Sequence, residues 1–253
     1  MDRLDIFDGM RSMEYKHKVE YTKKFVRNLL EKHERPCVAC SFGKDSTVTL
    51  HIALQYKPDI IVVFSNTGVE MPETLRFRDF LVKEWNLNYY ELKPEKTFWQ
   101  CVKEYGYPST RYLSKEKKKL IREGKTQNRG TPKCCYWLKE RPAMKFYKEK
   151  KIDLVLKGLT WDESYTRKWH IVRRGNYYYS KKWGCFIALP IAYWSQKEVW
   201  RYIHENNLPV NEAYKKVERV GCITCTSYLG WEEQMKRAYP KLYEKIKADI
   251  EKQ

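Results

Sequence analysis

Ten residues between two apolar segments, Ala39-Cys40-Ser41-Phe42-Gly43-Lys44-Asp45-Ser46-Thr47-Val48, gather the side chains that phosphate chemistry needs. A turn that leaves a strand and enters a helix aims several backbone N–H groups at one spot, where the helix dipole adds positive potential. Gly43 permits close backbone approach, Ser41 and Ser46 bring hydroxyls, and Lys44 brings a charge that neutralises phosphate. The spacing is not that of a Walker A loop. Read without context, the same six residues also make an ordinary turn with a capped helix. A second group is built on sulfur. Cys134-Cys135 and Cys222-x-x-Cys225 are 86 residues apart, and four thiolates brought together by a fold suit an iron–sulfur cluster or Zn²⁺.

These residues need elements to hold them. Helical spacing of apolar residues over 15–33 stops before Pro36 and is followed by a short apolar strand at 37–40. The turn at 41–44 comes next, then a helix over 45–56. A continuous apolar strand at 59–65 and a third strand at 87–92 flank a helix over 71–85. A helix at about 135–148 leads to a strand at 153–157, and a strand at 185–189 to a helix at 196–206. A last helix covers 231–250. Strands alternating with helices of these lengths predict α/β architecture with a parallel sheet. The organisation expected is an N-terminal helical segment 1–34, a nucleotide-binding domain 35–208 and a C-terminal extension 209–253. A charged insert at 109–133 carries a short exposed helix at 115–122. Cys37 and Cys40, on opposite faces of the first strand, are expected in the core, as are Cys101 and Cys185.

The 253 residues carry 50 Lys and Arg against 32 acids, a net charge of +18. Residues 109–151 hold fifteen basic and four acidic side chains. Residues 165–183 hold six basic and no acidic ones, interleaved with Tyr165, Trp169, Tyr177, Tyr178, Tyr179 and Trp183. Basic groups neutralise phosphates and aromatic faces stack on unpaired bases, so Arg173, Arg174, Lys181, Lys182 and Trp183 are candidate nucleic-acid contacts. A solvated, Lys-rich face is the other reading. No apolar run is long enough to span a membrane and the N-terminus has no secretory core, so a soluble, cytoplasmic protein without membrane partners is expected. Eight cysteines in that setting favour metal or redox chemistry over disulfides.

Ser41, Gly43, Asp45 and Ser46 match the Ser-x-Gly-x-Asp-Ser signature of the PP-loop ATP pyrophosphatases, which this chain resembles from about residue 35 to 226. Within that superfamily it is similar to the phosphoadenosine phosphosulfate reductase family. Ser65-Asn66-Thr67-Gly68 and Pro72-Glu73-Thr74 resemble that family's Asp-Thr-Gly and Pro-Glu-Thr. The segment 158–164 with Arg167 resembles its Gly-Ile-Arg-x-x-Glu-Ser loop, and 189–194 its Pro-Ile-x-x-Trp segment. Thr160 stands where the family usually has arginine. The resemblance implies a Rossmann-like sheet of five-stranded type flanked by helices, with a C-terminal iron–sulfur extension. It implies a [4Fe–4S] cluster on Cys134, Cys135, Cys222 and Cys225. It also implies a nucleotide site made of Ser41, Phe42, Gly43, Lys44, Asp45, Ser46, Thr67, Gly68, Glu73, Gly158, Glu163 and Arg167.

Sulfonucleotide reductases attack sulfate with a cysteine in a C-terminal Glu-Cys-Gly motif, and no cysteine follows Cys225 here. They also usually carry a degenerate loop, whereas Gly43-Lys44-Asp45-Ser46 is intact. The expectation is therefore ATP cleavage between the α- and β-phosphates with Mg²⁺, Lys44 and Asp45 being catalytic. A tRNA or DNA acceptor would carry AMP until a sulfur species displaces it. The partners expected are an adenine nucleotide, a nucleic acid, a cysteine desulfurase-like sulfur donor or thioredoxin, and a second copy of the chain. The alternatives are a reductase of adenylyl sulfate that releases sulfite and uses Cys101, Cys185 or a partner's thiol, and a nucleic-acid-binding iron–sulfur subunit without turnover.

Overall fold

The computed structural model describes residues 2–108, 123, 133–228 and 230–251. The expected helix at 115–122 and nearly all of the insert 109–133 lie outside the described residues. The chain forms two compact units, each made of three stretches: residues 1–64, 73–92 and 144–212 in one, and 65–72, 93–143 and 213–253 in the other.

The first unit is built on a sheet. Its strands are β1 (Pro36–Ala39), β2 (Ile61–Ser65), β3 (Asn88–Leu92), β4 (Leu154–Lys157), β5 (Tyr177–Ser180) and β6 (Cys185–Ala188), in spatial order β3-β2-β1-β4-β6-β5. β1 pairs in parallel with β2 and β4, and β4 in parallel with β6. β5 runs antiparallel to β6. The sheet thus has six strands, not five. The additional strand is Tyr-rich and belongs to the basic stretch 165–183, where its charged surroundings hide a half-exposed edge strand. The same stretch also forms a helix, α7 below.

α1 (Arg3–Ser12), α2 (Tyr15–Lys32), α3 (Lys44–Leu54) and α4 (Pro72–Glu84) precede β3, and α5 (Phe98–Tyr105) follows it. Lys133–Cys135 opens a helical run that widens into a π-helical segment, Tyr136–Glu140, and continues as α6 (Arg141–Glu149). Pro142 has no N–H and its ring would crowd the carbonyl four residues back, so a wider turn just before it relieves the helix. α7 (Tyr165–Arg174) starts where the Ser164 hydroxyl accepts from the Arg167 N–H. α8 (Gln196–Glu205) starts at a Ser195–Glu198 capping box. The final helix expected at 231–250 is two, α9 (Trp231–Ala238) and α10 (Pro240–Glu251), because Pro240 restarts it. Neither α1 nor α5 is apparent from apolar spacing.

Val38, Val62, Leu154, Leu156 and Ala188 lie on one face of the sheet and Cys37, Val63, Val155 and Ile187 on the other, and all are buried, as near-continuous apolar parallel strands should be. α2 is tied down through Thr22, whose hydroxyl donates to the Pro190 carbonyl and accepts from the Trp194 indole. A buried Lys18–Glu198 ion pair at 2.8 Å adds to this. Cys37, Cys40, Cys101 and Cys185 are all buried, as expected of core thiols. Among the described residues no helix is long and apolar enough to cross a membrane.

Candidate functional site

β1 has β2 on one side and β4 on the other, so the strand order reverses between β1 and β4. The carboxyl ends of such strands are where open α/β sheets place ligands. Residues 41–46 leave the carboxyl end of β1. The loop is closed by Ser46, whose hydroxyl donates to the Gly43 carbonyl at 2.9 Å, accepts from the Ser41 N–H at 3.2 Å and lies 3.2 Å from the Ser41 hydroxyl. Gly43 is the residue before the first turn of α3, so the helix's unpaired N–H groups begin there. Phe42 sits at φ +56°, left-handed backbone that a bulky residue rarely adopts. Its ring is fully buried between Phe64 at 5.4 Å and Tyr89 at 6.2 Å. Phe42 therefore shapes the loop from beneath.

Lys44 Nζ lies 2.6 Å from Asp45 Oδ2, and both side chains are largely buried. The other carboxylate oxygen, Asp45 Oδ1, is buried with no hydrogen-bond partner among the described residues. An orphaned carboxylate oxygen beside an ammonium group and a helix N-terminus fits the magnesium salt of a polyphosphate, which supplies a cation to one and anionic oxygens to the others.

The other residues of the expected nucleotide site have distinct settings. Gly158 follows β4, and a Cβ placed there would stand 2.4 Å from the Asp45 carbonyl oxygen and 2.6 Å from the Ser46 nitrogen. Its role is to let two backbones touch. Glu163 and Arg167 form an i, i+4 ion pair with each other, and Glu163 also accepts from the Thr160 N–H. Thr160 accepts from the Gln196 carboxamide at 2.7 Å. Glu73 is buried in the first turn of α4. Thr67 and Gly68 belong to the second unit, where the Thr67 hydroxyl donates to Glu70 at 2.7 Å and lies 3.5 Å from Cys222 Sγ. Gly68, at φ +75°, closes a turn on the Asn66 side chain.

Asn211 carries no sequence signal. It is 2% exposed and its carboxamide donates to the Phe42 carbonyl and to the Thr74 hydroxyl, each at 3.0 Å. It lies 169 residues from Phe42, which is why no local pattern shows it.

The four cysteines all lie in the second unit. Cys134 and Trp137 rest against the buried cluster of Phe98, Cys101, Val102 and Leu138. Cys222 is held by a β-bridge to Glu70 and by the Ile223 N–H bonded to the Val69 carbonyl at 2.8 Å. The Cys225 N–H turns back to the Cys222 carbonyl at 3.1 Å. Cys134 donates a hydrogen bond to Cys135, which raises the Cys134 thiol; burial and the fields of Cys135, Cys225 and Cys222 raise it further. That hydrogen bond lowers Cys135 to about 7 against the cost of burial, and Lys139 helps. Burial pushes Cys222 up to about 11, opposed by Lys139. The half-buried Lys139, brought in by the π-helical segment, is held charged chiefly by Cys222. The four thiols thus feel one another, and a set of four sulfurs with one near neutrality and a cation beside them is the donor chemistry an iron–sulfur cluster takes. Among the described residues no three His, Cys, Asp or Glu are drawn together closely enough to hold a metal ion as they stand.

Arg173, Arg174, Lys181 and Lys182 are exposed at the end of α7 and in the turn between β5 and β6. Trp183 packs on Lys157 Nζ at 4.0 Å and on the Tyr147 ring, so it is occupied. The rings of this stretch most open to solvent are Tyr165, 78% exposed, and Tyr179, 53% exposed.

Residues 35–228 match the phosphoadenosine phosphosulfate reductase domain. An uncharacterised protein of Methanocaldococcus jannaschii is 35% identical over 227 residues, covering 87% of this chain and 42% of that protein. The adenosine 5'-phosphosulfate reductase of Geobacillus kaustophilus is 30% identical over 199 residues, 75% of this chain and 72% of the enzyme. The chain spans about half the length of the two M. jannaschii relatives it matches, 42% and 53%. The solved phosphoadenylyl-sulfate reductase of Candida auris shares the fold, with TM-score 0.55 at 18% identity over 83% of this chain and 96% of that one.

Proposed function

Because the chain belongs to the phosphoadenosine phosphosulfate reductase domain family, we propose that it is a PP-loop enzyme that activates an acceptor with ATP in the service of sulfur transfer. The observation that carries this reading is the 41–46 loop. It is an intact phosphate cradle whose Asp45 keeps an unpartnered oxygen beside Lys44 at the sheet's switch point. In this reading MgATP is the substrate. Backbone N–H groups at the start of α3, the Ser41 and Ser46 hydroxyls and Lys44 hold the β- and γ-phosphates, and Asp45 faces the magnesium. An acceptor oxygen attacks the α-phosphorus, the bond to the bridging oxygen breaks and pyrophosphate leaves with the electron pair. The acceptor now carries AMP. The persulfide sulfur of a donor protein, such as a cysteine desulfurase, then forms a bond to the activated acceptor atom and AMP leaves with the acceptor oxygen. A second thiol attacks the donor's sulfur in the resulting disulfide, breaks the S–S bond and frees the thiolated acceptor.

Cys134, Cys135, Cys222 and Cys225 are the residues that would hold a [4Fe–4S] cluster. Such a centre would supply sulfur-ligated iron able to handle electrons or a sulfur ligand. Lys139 and Thr67 would flank it with a charge and a hydroxyl. Glu73, Gly68, Glu163 and Arg167 line the nucleotide by resemblance. The acceptor is a nucleic acid, gripped by Arg173, Arg174, Lys181 and Lys182 with Tyr165 and Tyr179 offered for stacking. The domain limits 1–34, 35–208 and 209–253, a homo-oligomeric state and a cytoplasmic setting belong to the same proposal.

A second reading has one observation behind it, the 30% identity to an adenosine 5'-phosphosulfate reductase. It makes the nucleotide adenylyl sulfate and the product sulfite, with thioredoxin as reductant. One anoxic assay separates the two. The protein is incubated with α-labelled ATP or with adenylyl sulfate, in the presence of bulk tRNA or DNA. Pyrophosphate with label on nucleic acid, lost in Lys44→Ala and Asp45→Asn, supports the first reading. Sulfite from adenylyl sulfate without ATP cleavage overturns it.

A further inference from the structure

Phe42 is the one residue of the phosphate loop whose backbone stands in the left-handed region, at φ +56°. A phenylalanine is disfavoured there, where Cβ crowds the following carbonyl oxygen, so something must over-determine it. The buried ring between Phe64 and Tyr89 fixes the side chain. The carbonyl is fixed separately, by the Asn211 carboxamide at 3.0 Å.

That second restraint has a directional effect. The peptide joining Phe42 to Gly43 is trans, as no cis bond occurs among the described residues, and it is planar, so its C=O and N–H point in opposite directions. With the carbonyl turned to Asn211, the Gly43 N–H faces the other way. Gly43 precedes the first turn of α3, and a left-handed residue followed by successive N–H groups forms an anion-binding nest. A carboxamide can do this while it also donates to Thr74, because its NH₂ has two hydrogens. An apolar residue in a site 2% exposed would leave the Phe42 carbonyl buried and without this donor.

We propose that Asn211 is a positioning residue for phosphate recognition: by clamping the 42–43 peptide it aims the Gly43 N–H at the anion. This rests on the reading of 41–46 as the phosphate site. Asn211 touches no ligand itself.

The test measures MgATP affinity by calorimetry at pH 8 and pH 5.5 for the wild type, Asn211→Leu, Asn211→Asp and Thr74→Val. Folding is checked by circular dichroism. Thr74→Val loses the Asn211–Thr74 hydrogen bond and should bind within about twofold of wild type, since the Phe42 clamp remains. Asn211→Leu should bind roughly 10- to 100-fold more weakly at both pH values. Asn211→Asp should bind as weakly at pH 8, where its carboxylate has no proton to donate. It should recover relative to wild type at pH 5.5, because burial raises such a carboxyl and its protonated form regains a donor. A purely structural role gives no such pH-dependent rescue. Unchanged affinity in Asn211→Leu, or no recovery of Asn211→Asp at pH 5.5, overturns the proposal. If Asn211→Leu does not fold, the Asn211→Asp comparison decides alone. Wild type that fails to bind MgATP overturns the underlying site reading instead, and the two failures are distinct.

Discussion

Replacing Gly158 by alanine adds a single methyl group, and the structure says where it goes: 2.4 Å from the Asp45 carbonyl oxygen, 2.5 Å from its carbon and 2.6 Å from the Ser46 nitrogen. All three are backbone atoms in the first turn of α3, so no side chain can swing away. Ordinary contact at 3.4–4 Å requires the end of β4 and the start of α3 to move apart by about 1–1.6 Å. Overpacking of this kind costs about 1–3 kcal/mol. At roughly 2–4 °C of Tm per kcal/mol for a chain this size, melting should fall by about 2–12 °C. The functional effect should be larger, because the shift is delivered to Lys44, Asp45 and Ser46. A misplacement of about 1 Å at a reacting centre can cost on the order of 100-fold. Pyrophosphate release and MgATP affinity, measured well below the melting transition, should therefore collapse in a protein that is still folded. Gly9→Ala is the control: nothing lies within 4 Å of its Cβ, and in the interior of α1 alanine should stabilise by about 0.5–1 kcal/mol. A Gly158→Ala enzyme with normal Tm and normal nucleotide affinity would falsify the close approach of β4 to the loop.

Other expectations follow from the same geometry. His51 and His170 are each held below the ordinary imidazole range, chiefly by burial and then by nearby cations. The unfolded chain thus binds their protons more readily than the native one, so stability should be full above about pH 6.5 and decline as the pH falls through and below that value. Chemical denaturation at pH 7.5 and 5.5 should show a smaller loss in the His51→Gln/His170→Gln double variant than in wild type. In metal-free, reduced protein the Cys135 thiol, near 7, should be alkylated before Cys222, near 11, at neutral pH, as read by peptide mass mapping. Equal labelling of the two would contradict the hydrogen bond from Cys134. Arg173→Ala and Lys181→Ala should each lower the salt slope of RNA or DNA binding by about one, with little change in Tm; an unaltered slope removes this face from the interface.

The parallel core was legible because its strands are continuous apolar runs, and the phosphate turn because its residue types fall between one such strand and a helix. The elements that escaped are those whose signal is weak or mixed. β5 is a four-residue Tyr-Tyr-Tyr-Ser edge strand that looks like part of a charged surface, and α1 carries only one buried residue, Phe7. The environment of the four half-buried cysteines was legible only as spacing. The partners that tune them are Lys139 and Glu70, which carry no motif, and Thr67, whose motif points to the nucleotide and not to the thiols. Asn211 and the true office of Gly158 were invisible for a related reason. Each acts on residues 41–46 from more than a hundred positions away, through a backbone contact that any sequence pattern leaves unmarked.

The interleaving of the two units also sets a timetable for the cysteines as the chain is made. Cys134 and Cys135 emerge from the ribosome with 86 residues still to come before Cys222. At about 5–20 residues per second that is a wait of roughly 4–17 s for two adjacent thiols without their counterparts. Nothing can gather all four sulfurs until the chain has been made through Cys225, so any cofactor loading must wait for that segment.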